Sequence, residues 1–281
     1  MLNNEYHNLT ETFTISTRKA SGHYTMPSYH LHDQYEIYYL LSGERSYFIK
    51  DRTFTIQQGD LVLINQSVLH KTIDTGVPNH ERFLIKFSAS FIQTSENQLD
   101  TIFPILFLDN SPVIRLNVQE QSHINGLFHK MIDEVSQKPL GFELYAQGLL
   151  LQMLVVLSRH PRQNHIDLTK HPSAAHEKVS EIVQYINLNY SQNITLTSLS
   201  KQFFISSFYL SKIFKTVTGF TFINYLNSVR VKEAQKMLRE TRLKVIDIAE
   251  RVGFGNISHF GRVFKELTDK SPLQYRKQNQ S

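Results

Sequence analysis

The pattern that decides the fold occurs twice near the C-terminus: residues 199–215 read LSKQFFISSFYLSKIFK, and residues 248–265 read IAERVGFGNISHFGRVFK. The copies align at an offset of 49 residues at first and of 50 residues later, so one residue is inserted at a turn, where an insertion costs little. Each copy has a small residue, Ser200 or Ala249, where two helices must cross closely. A turn and a second helix with apolar residues three and four apart follow. The repeat predicts two helix-turn-helix units.

The second helix of each copy has an apolar face and a face left for solvent or DNA. On the free face Arg262 can reach guanine edges, and Phe208 or Ile257 can pack on a thymine methyl group. Phe208 could instead rest on Tyr209, and the lysines could be solvated charges without a phosphate partner. Two predicted N-caps would leave backbone N–H groups free for phosphate. The predicted DNA-contacting residues are Ser206, Ser207, Phe208, Ser211, Lys212, Lys215, Asn256, Ile257, Ser258, His259, Arg262 and Lys265.

A long predicted helix at 221–239 connects the two units. About nineteen residues at ~1.5 Å each make a rod of roughly 28 Å. Such a rod suits two recognition helices that lie about one DNA turn, near 34 Å, apart, so that both could enter successive major grooves on one face of a duplex. The helices predicted for this half of the chain are 177–190, 195–203, 206–217, 221–239, 243–252 and 256–267.

Charge is distributed unevenly along the chain. The net charge is +5 over 281 residues, but residues 176–281 hold 16 Lys and Arg against 8 Asp and Glu, which leaves 14 against 17 in the preceding residues. This asymmetry favours a nucleic-acid-binding half joined to a half with another task, although a basic solvated surface would give the same counts. The chain has no cysteine, which excludes disulfides, thiolate catalysis and cysteine-based zinc fingers.

Nothing in the sequence predicts export or membrane insertion. The N-terminus lacks a basic start followed by an apolar run, and the longest apolar stretch, 149–157, is interrupted by Gln152 and is too short to span a bilayer. Hydrophobic residues make up 41% and charged residues 20%, as in ordinary soluble globular proteins. We therefore expect a cytoplasmic protein.

The first hundred residues have the pattern of short β-strands. Runs at 36–41, 45–50, 53–56 and 61–64 are rich in aromatic and β-branched residues and end at turn residues, which suggests a barrel or a sandwich. Apolar residues at helical spacing follow at 118–135 and 142–157. Their stripes must be buried against the barrel wall or a partner subunit, and we expect helices 118–160 to form a dimer interface. The polar stretch 159–175 indicates an interdomain linker.

The second copy of the repeat and its surroundings resemble the AraC/XylS family of transcription regulators. The resemblance rests on VIDIAERVGF at 245–254, SHF at 258–260, RVFK at 262–265 and SPLQYR at 271–276. It extends over 177–277 and implies DNA-binding control of transcription, most often activation, with RNA polymerase as a partner and recognition helices at 206–217 and 256–267. Two positions depart from the family pattern. Asp269 replaces a usual glycine, although aspartate tolerates the left-handed conformation, and Gly261 lies where a small polar residue is common.

The N-terminal half resembles the cupins in two motifs. The first is formed by His30, His32, Glu36 and Gly43, and the second by Gly59, Asn65, Ser67 and His70. The cupin enzymes bind metal through three histidines and a carboxylate at these positions, a ligand set that would suit Zn, Fe, Mn or Ni. AraC-like regulators commonly have a cupin sensor with such residues and no metal, and there these side chains would hydrogen-bond a polar effector or one another.

These resemblances define two overlapping sets of candidate residues. Tyr38 and Tyr47 are additional pocket candidates, with core packing as the alternative for each. The predicted effector-binding residues are His30, His32, Glu36, Tyr38, Tyr47 and His70, and the metal ligands, if a metal is bound, would be His30, His32, Glu36 and His70.

The predicted fold class is α+β with two domains. Residues 1–160 form a cupin-like β-barrel with a helical dimerisation segment, 161–175 a linker, and 176–281 an all-α domain with tandem helix-turn-helix units. The protein is expected to be a homodimeric regulator rather than an enzyme, to bind double-stranded DNA and a small carbohydrate-like effector, and to need no cofactor. Two alternatives stay open: a metal-dependent cupin enzyme fused to a DNA-binding module, and an architectural DNA-binding protein without effector control.

Overall fold

The structure, a computed structural model, describes residues 2–25, 34–92, 99–108, 112–160 and 173–279. Its N-terminal half contains a six-stranded sheet, in the order β1-β2-β8-β3-β6-β9, and a three-stranded sheet, in the order β5-β4-β7. Neighbouring strands are antiparallel. The strands are β1 Leu2–Thr10, β2 Phe13–Ala20, β3 Tyr35–Ser42, β4 Glu44–Ile49, β5 Arg52–Gln57, β6 Asp60–Ile64, β7 His70–Ile73, β8 His80–Phe87 and β9 Val113–Arg115. The four strand runs predicted from the sequence are confirmed as β3 to β6.

The two sheets enclose an interior because side chains alternate between the faces of each strand. Tyr38 and Leu40 of the larger sheet pack with Tyr47 and Ile49 of the smaller sheet in one apolar cluster. The opposite face of the larger sheet carries a second cluster to which Phe83 belongs. A sensor-type barrel or sandwich was predicted, and the observed form is two facing sheets.

Helices cover the outer face of the larger sheet. Their bounds are α1 Leu99–Phe103, α2 Val118–Gln137 and α3 Phe142–Ser158, and a π-helical turn occupies Pro104–Leu108. Ile124, Phe128 and Met131 of α2 are fully buried against this sheet. Of the two predicted ways to bury these stripes, the structure shows the barrel wall. Leu144 is an exception: it belongs to the apolar pattern predicted at 142–157, but it is 74% exposed. The dimer interface predicted for helices 118–160 stays a prediction.

Seven helices make up the C-terminal half as the structure describes it. They are α4 Ala174–Asn189, α5 Leu196–Gln202, α6 Ser207–Thr218, α7 Phe222–Glu240, α8 Val245–Arg251, α9 Ile257–Thr268 and α10 Pro272–Asn279. The six predicted helices are confirmed within a few residues, and α10 was not predicted. Helix α7 contributes Tyr225 to the core around the first unit and Ala234 to the core around the second. One rigid helix therefore joins the two units.

The outer face of the smaller sheet packs directly on the first helix-turn-helix unit. Phe48 of β4 lies edge-on to Phe220, with ring centroids 5.9 Å apart, and to Tyr225 at 6.1 Å. Lys71 of β7 donates to the Gly219 carbonyl at the end of α6, 2.8 Å away. Since a helix C-terminus attracts a cation, this contact stabilises the docking of the two halves.

Hydrogen bonds extend this contact from the smaller sheet to α6 and α7. The Thr53 hydroxyl donates to the Val217 carbonyl at 3.1 Å, and the Tyr225 hydroxyl donates to the Lys50 carbonyl at 3.2 Å. The sequence suggested two domains on a linker, and their close packing was not foreseen. The predicted linker at 161–175 lies largely outside the described residues, and its last two positions, 174 and 175, belong to α4. No helix among the described residues is long and apolar enough to cross a membrane.

Candidate DNA interface and ligand site

The two predicted recognition helices, α6 and α9, begin at the predicted caps. The Ser206 hydroxyl accepts from the Tyr209 N–H at 3.2 Å, and the Asn256 side chain accepts from the His259 N–H at 2.9 Å. Both helices end in a left-handed residue, Gly219 in the first unit and Asp269 in the second, with φ of 74° and 58°. The aspartate that departs from the family pattern thus adopts the conformation a glycine would, as predicted.

The apolar faces of both helices are buried as predicted, so the opposite faces point to solvent. Leu210 and Phe214 of α6 are fully buried, as are Phe260 and Phe264 of α9. Phe208 stays 80% exposed although it is a large apolar side chain. Most of the remaining predicted DNA contacts are also exposed: Ser206, Ser211, Lys212, Lys215, Asn256, Ile257, Ser258, His259, Arg262 and Lys265.

Ser207 differs from the rest of the set. It is half-buried, and its hydroxyl donates to the Ser200 hydroxyl at 2.9 Å, which ties α6 to α5. Sequence reasoning missed Phe204, a turn residue that is 94% exposed and has a φ of 55°. The corresponding residue of the second unit is Gly253, also left-handed, so alignment of the two copies could have identified Phe204 as unusual.

Four of the predicted effector residues, Glu36, Tyr38, Tyr47 and His70, meet in the interior between the sheets. Glu36 accepts a hydrogen bond from the Tyr47 hydroxyl at 2.9 Å, and its other oxygen lies 3.6 Å from His70 Nε2. Tyr38 lies edge-on to Tyr47, with ring centroids 5.3 Å apart. Burial raises the pKa of Tyr38 to about 12, and burial together with the Glu36 carboxylate raises the pKa of Tyr47 well above its usual value, so both hydroxyls remain donors. Sequence reasoning missed Lys86, whose ammonium lies 3.7 Å from Glu36.

The two other predicted effector residues, His30 and His32, lie outside the described residues. Within the described ranges, no group of three or more His, Cys, Asp or Glu residues is arranged to hold a metal ion. The predicted metal set, which includes both of these histidines, therefore stays a prediction.

A pocket of about 300 Å³ opens at one end of the interior. Ile49, Phe54 and Val68 line it together with Lys50 and Asp51 of the β4–β5 turn. The same turn contacts the DNA-binding half, because the Lys50 carbonyl accepts from Tyr225 and the Asp51 carboxylate accepts from Gln184 at 2.9 Å. A molecule in this pocket would therefore lie beside the contact between the two halves.

The opposite end of the interior is cationic, which the sequence analysis did not foresee. The inward positions of β4 are Ile49 at the pocket, Tyr47 beside Glu36, and then Arg45, whose side chain is 1% exposed. Arg18 of β2 lies directly opposite Arg82 of β8 in the sheet register. These arginines are far apart in the sequence, and only the alternation of β2 and β8 could have suggested that they share a face.

Two family models match the chain. The AraC-like ligand binding domain matches residues 14–154, and a helix-turn-helix domain matches residues 199–278. The chain is 25% identical to the uncharacterized HTH-type transcriptional regulator YfiF of Bacillus subtilis, over 88% of this chain and 78% of that protein. It is also 25% identical to the Msm operon regulatory protein of Streptococcus mutans, over 89% of this chain and 87% of that protein.

Among solved structures, the chain is similar to the C-terminal domain of the two-component response regulator yesN from Fusobacterium nucleatum. The identity is 38% over 37% of this chain and 99% of that domain, with a TM-score of 0.34.

Proposed function

Because the chain belongs to the AraC family of transcription regulators, with an AraC-like ligand binding domain and a helix-turn-helix domain, we propose that a small effector bound between its two sheets controls how its recognition helices engage DNA. The observation that carries this proposal is the position of strand β4. Its inward residues Tyr47 and Ile49 line the interior, while Phe48 between them packs on Phe220 and Tyr225 of the DNA-binding half.

Strand β4 couples the two sites because adjacent residues point to opposite faces. A ligand that shifts Tyr47 or Ile49 also moves Phe48, and Phe48 contacts the residues that follow α6. Such a shift changes the equilibrium between docked and undocked arrangements only if the ligand binds one of them more tightly. The rim of the 300 Å³ pocket supports this coupling, since Lys50 and Asp51 are themselves hydrogen-bonded to α7 and α4.

The DNA contacts are assigned to the exposed faces of α6 and α9. Arg262 reads a guanine edge, Phe208 and Ile257 contact thymine methyl groups, and Lys215 and Lys265 contact phosphates. Helix α7, with 19 residues, is a rod of roughly 28 Å. This length suits two recognition helices that enter successive major grooves.

The proposal extends to the regulatory role, the oligomeric state, the location and the effector class of the protein. We assign it the role of an activator that contacts RNA polymerase, acts as a homodimer, resides in the cytoplasm, and takes a polar, carbohydrate-like effector without a metal or other cofactor. Dimer contacts fall on the outer side of α3, where Leu144 and Tyr145 remain exposed, rather than on its buried stripe. Metal analysis of protein purified without added ions tests the cofactor assignment, because a metal-dependent cupin would retain near-stoichiometric metal.

The experiment that tests the function is selection of duplexes from a random library by the full-length protein, followed by binding measurements on the selected duplex. We expect a selected sequence that binds at least 1,000-fold more tightly than random DNA, as specific regulators do. A panel of metabolites is then added, and at least one should change the affinity for this duplex. Failure to select any sequence would reject the DNA-binding role, and a panel without effect would reject ligand control.

A further inference from the structure

The cationic end of the interior contains a buried charge without a sufficient partner. Arg45 is 1% exposed, and its Nε and Nη2 atoms have no hydrogen-bond partner among the residues that the structure describes. Its remaining terminal nitrogen lies 3.8 Å from Asp74, which is longer than a hydrogen bond. Because a buried, unsatisfied charged donor is costly, its presence indicates a ligand that satisfies it.

Two further guanidinium groups, those of Arg82 and Arg18, lie at the same end of the interior as Arg45. Arg82 is 7% exposed and donates to the Ser16 hydroxyl at 3.1 Å. Arg18 lies over the Tyr24 ring at 4.5 Å, and Arg45 lies 5.9 Å from the same ring. Tyr24 thus brings together the arginines of β2 and β4, and the sheet register places Arg82 opposite Arg18.

The positive charges of the three arginines also act on the buried side chain of His80. It is 4% exposed, and its pKa falls to about 4 because burial and the positive charges of Arg45, Arg82 and Arg18 all disfavour the imidazolium form. A neutral imidazole beside three guanidinium groups can still donate or accept one hydrogen bond. In the described part of the chain, Asp74 is the carboxylate within 4 Å of this cluster, and it is also bonded to His23 at 2.8 Å. Among the described residues, the positive charge of this cluster therefore exceeds the nearby negative charge.

We propose that Arg45, Arg82 and Arg18 form an anion site that binds the carboxylate or phosphoryl group of the effector. A guanidinium group presents donors in a fork that matches either group. The inference rests on the proposed function and narrows the effector from a polar molecule to an anionic one. Along β4, Tyr47 beside Glu36 is the next inward position, roughly 7 Å from Arg45.

Thermal unfolding of the full-length protein at matched ionic strength tests the site. The probes are inorganic phosphate, glucose 6-phosphate and gluconate, with glucose and sodium chloride as uncharged and ionic controls. We expect phosphate, or one of the two anionic sugars, to raise Tm where glucose and chloride do not, since a ligand stabilises the form it binds. A response to gluconate alone identifies a carboxylate, and a response to the two phosphates identifies a phosphoryl group.

Arg45→Met provides the decisive variant. It removes a buried unpaired charge, so the ligand-free variant should unfold at or above the wild-type Tm, while its affinity for the anion that stabilises wild type falls roughly 10- to 100-fold. Lys19→Met is the matched control, since it removes a positive charge next to Arg18 on the outward face of β2. It should retain the wild-type response.

Three outcomes overturn the site. One is a lower Tm for ligand-free Arg45→Met, which would give Arg45 a purely structural role. Another is an equal anion response in both variants. The third is stabilisation by glucose but by none of the anions, which would leave ligand control of the regulator intact while rejecting an anionic effector.

Discussion

Phe48→Ala should undock the two halves of the protein without unfolding either. The ring is 1% exposed, and apart from Leu69 its buried neighbours in the same apolar cluster all belong to the DNA-binding half. Truncation of a buried phenylalanine costs about 3–5 kcal/mol. Because most contacts of this ring lie between the two halves, most of the lost free energy comes from docking. A loss of about 3 kcal/mol corresponds to a roughly 100-fold change in the docking equilibrium.

Amide hydrogen exchange of the full-length protein measures the effect. Residues 219–226 follow α6 and begin α7. Their amide hydrogens should exchange up to roughly 100-fold faster in Phe48→Ala wherever docking protects them from solvent. Phe87→Ala is the matched control: Phe87 is equally buried, but it lies in the cluster beneath α2 and α3. The Phe87→Ala control should lower the stability of the sensor half, but it should leave the exchange rates of residues 219–226 close to those of wild type. Exchange in Phe48→Ala within twofold of wild type would refute the docking role of β4.

The remaining predictions concern DNA recognition and pH. Arg262→Ala should lose discrimination at one base pair of the selected duplex by about 1–3 kcal/mol, whereas Lys265→Ala should weaken binding to all sequences and reduce the salt slope by about 1; equal losses on every sequence for both variants would contradict these roles. Because burial and nearby arginines lower the pKa of His80 from its ordinary value of 6.5 to about 4 in the folded protein, stability should fall by about 3 kcal/mol as the pH drops from 6.5 to 4. Denaturant titrations of wild type and His80→Gln check this, and an equally steep decline in the variant would assign the acid sensitivity to other groups.

The helical half could be predicted from the sequence almost completely. Apolar residues recur three and four apart, and caps such as Ser206 and Asn256 mark where helices begin. Because the repeat fixes which faces are apolar, the exposed faces of α6 and α9 followed directly. Helix α10 was missed because its weakly amphipathic sequence, PLQYRKQN, gives little periodic signal.

The sensor half could be predicted only in part, because its smaller sheet is buried on both faces. Phe48 looks like any apolar strand residue, and periodicity alone cannot distinguish a partner within the sensor from one in the other domain. The cationic site depends on strand register, which places Arg18 opposite Arg82 although 64 positions separate them. Two covers stayed open for the stripes of α2 and α3, because the sequence does not tell whether a sheet or a second subunit covers a helix.

In the proposed function, the two helix-turn-helix units read one face of a duplex together. A hydroxyl-radical footprint of the full-length protein on its selected duplex measures this most directly. We predict two protected patches on the same face, centred about 10–10.5 base pairs apart. A single protected patch, or two patches on opposite faces of the duplex, would contradict it.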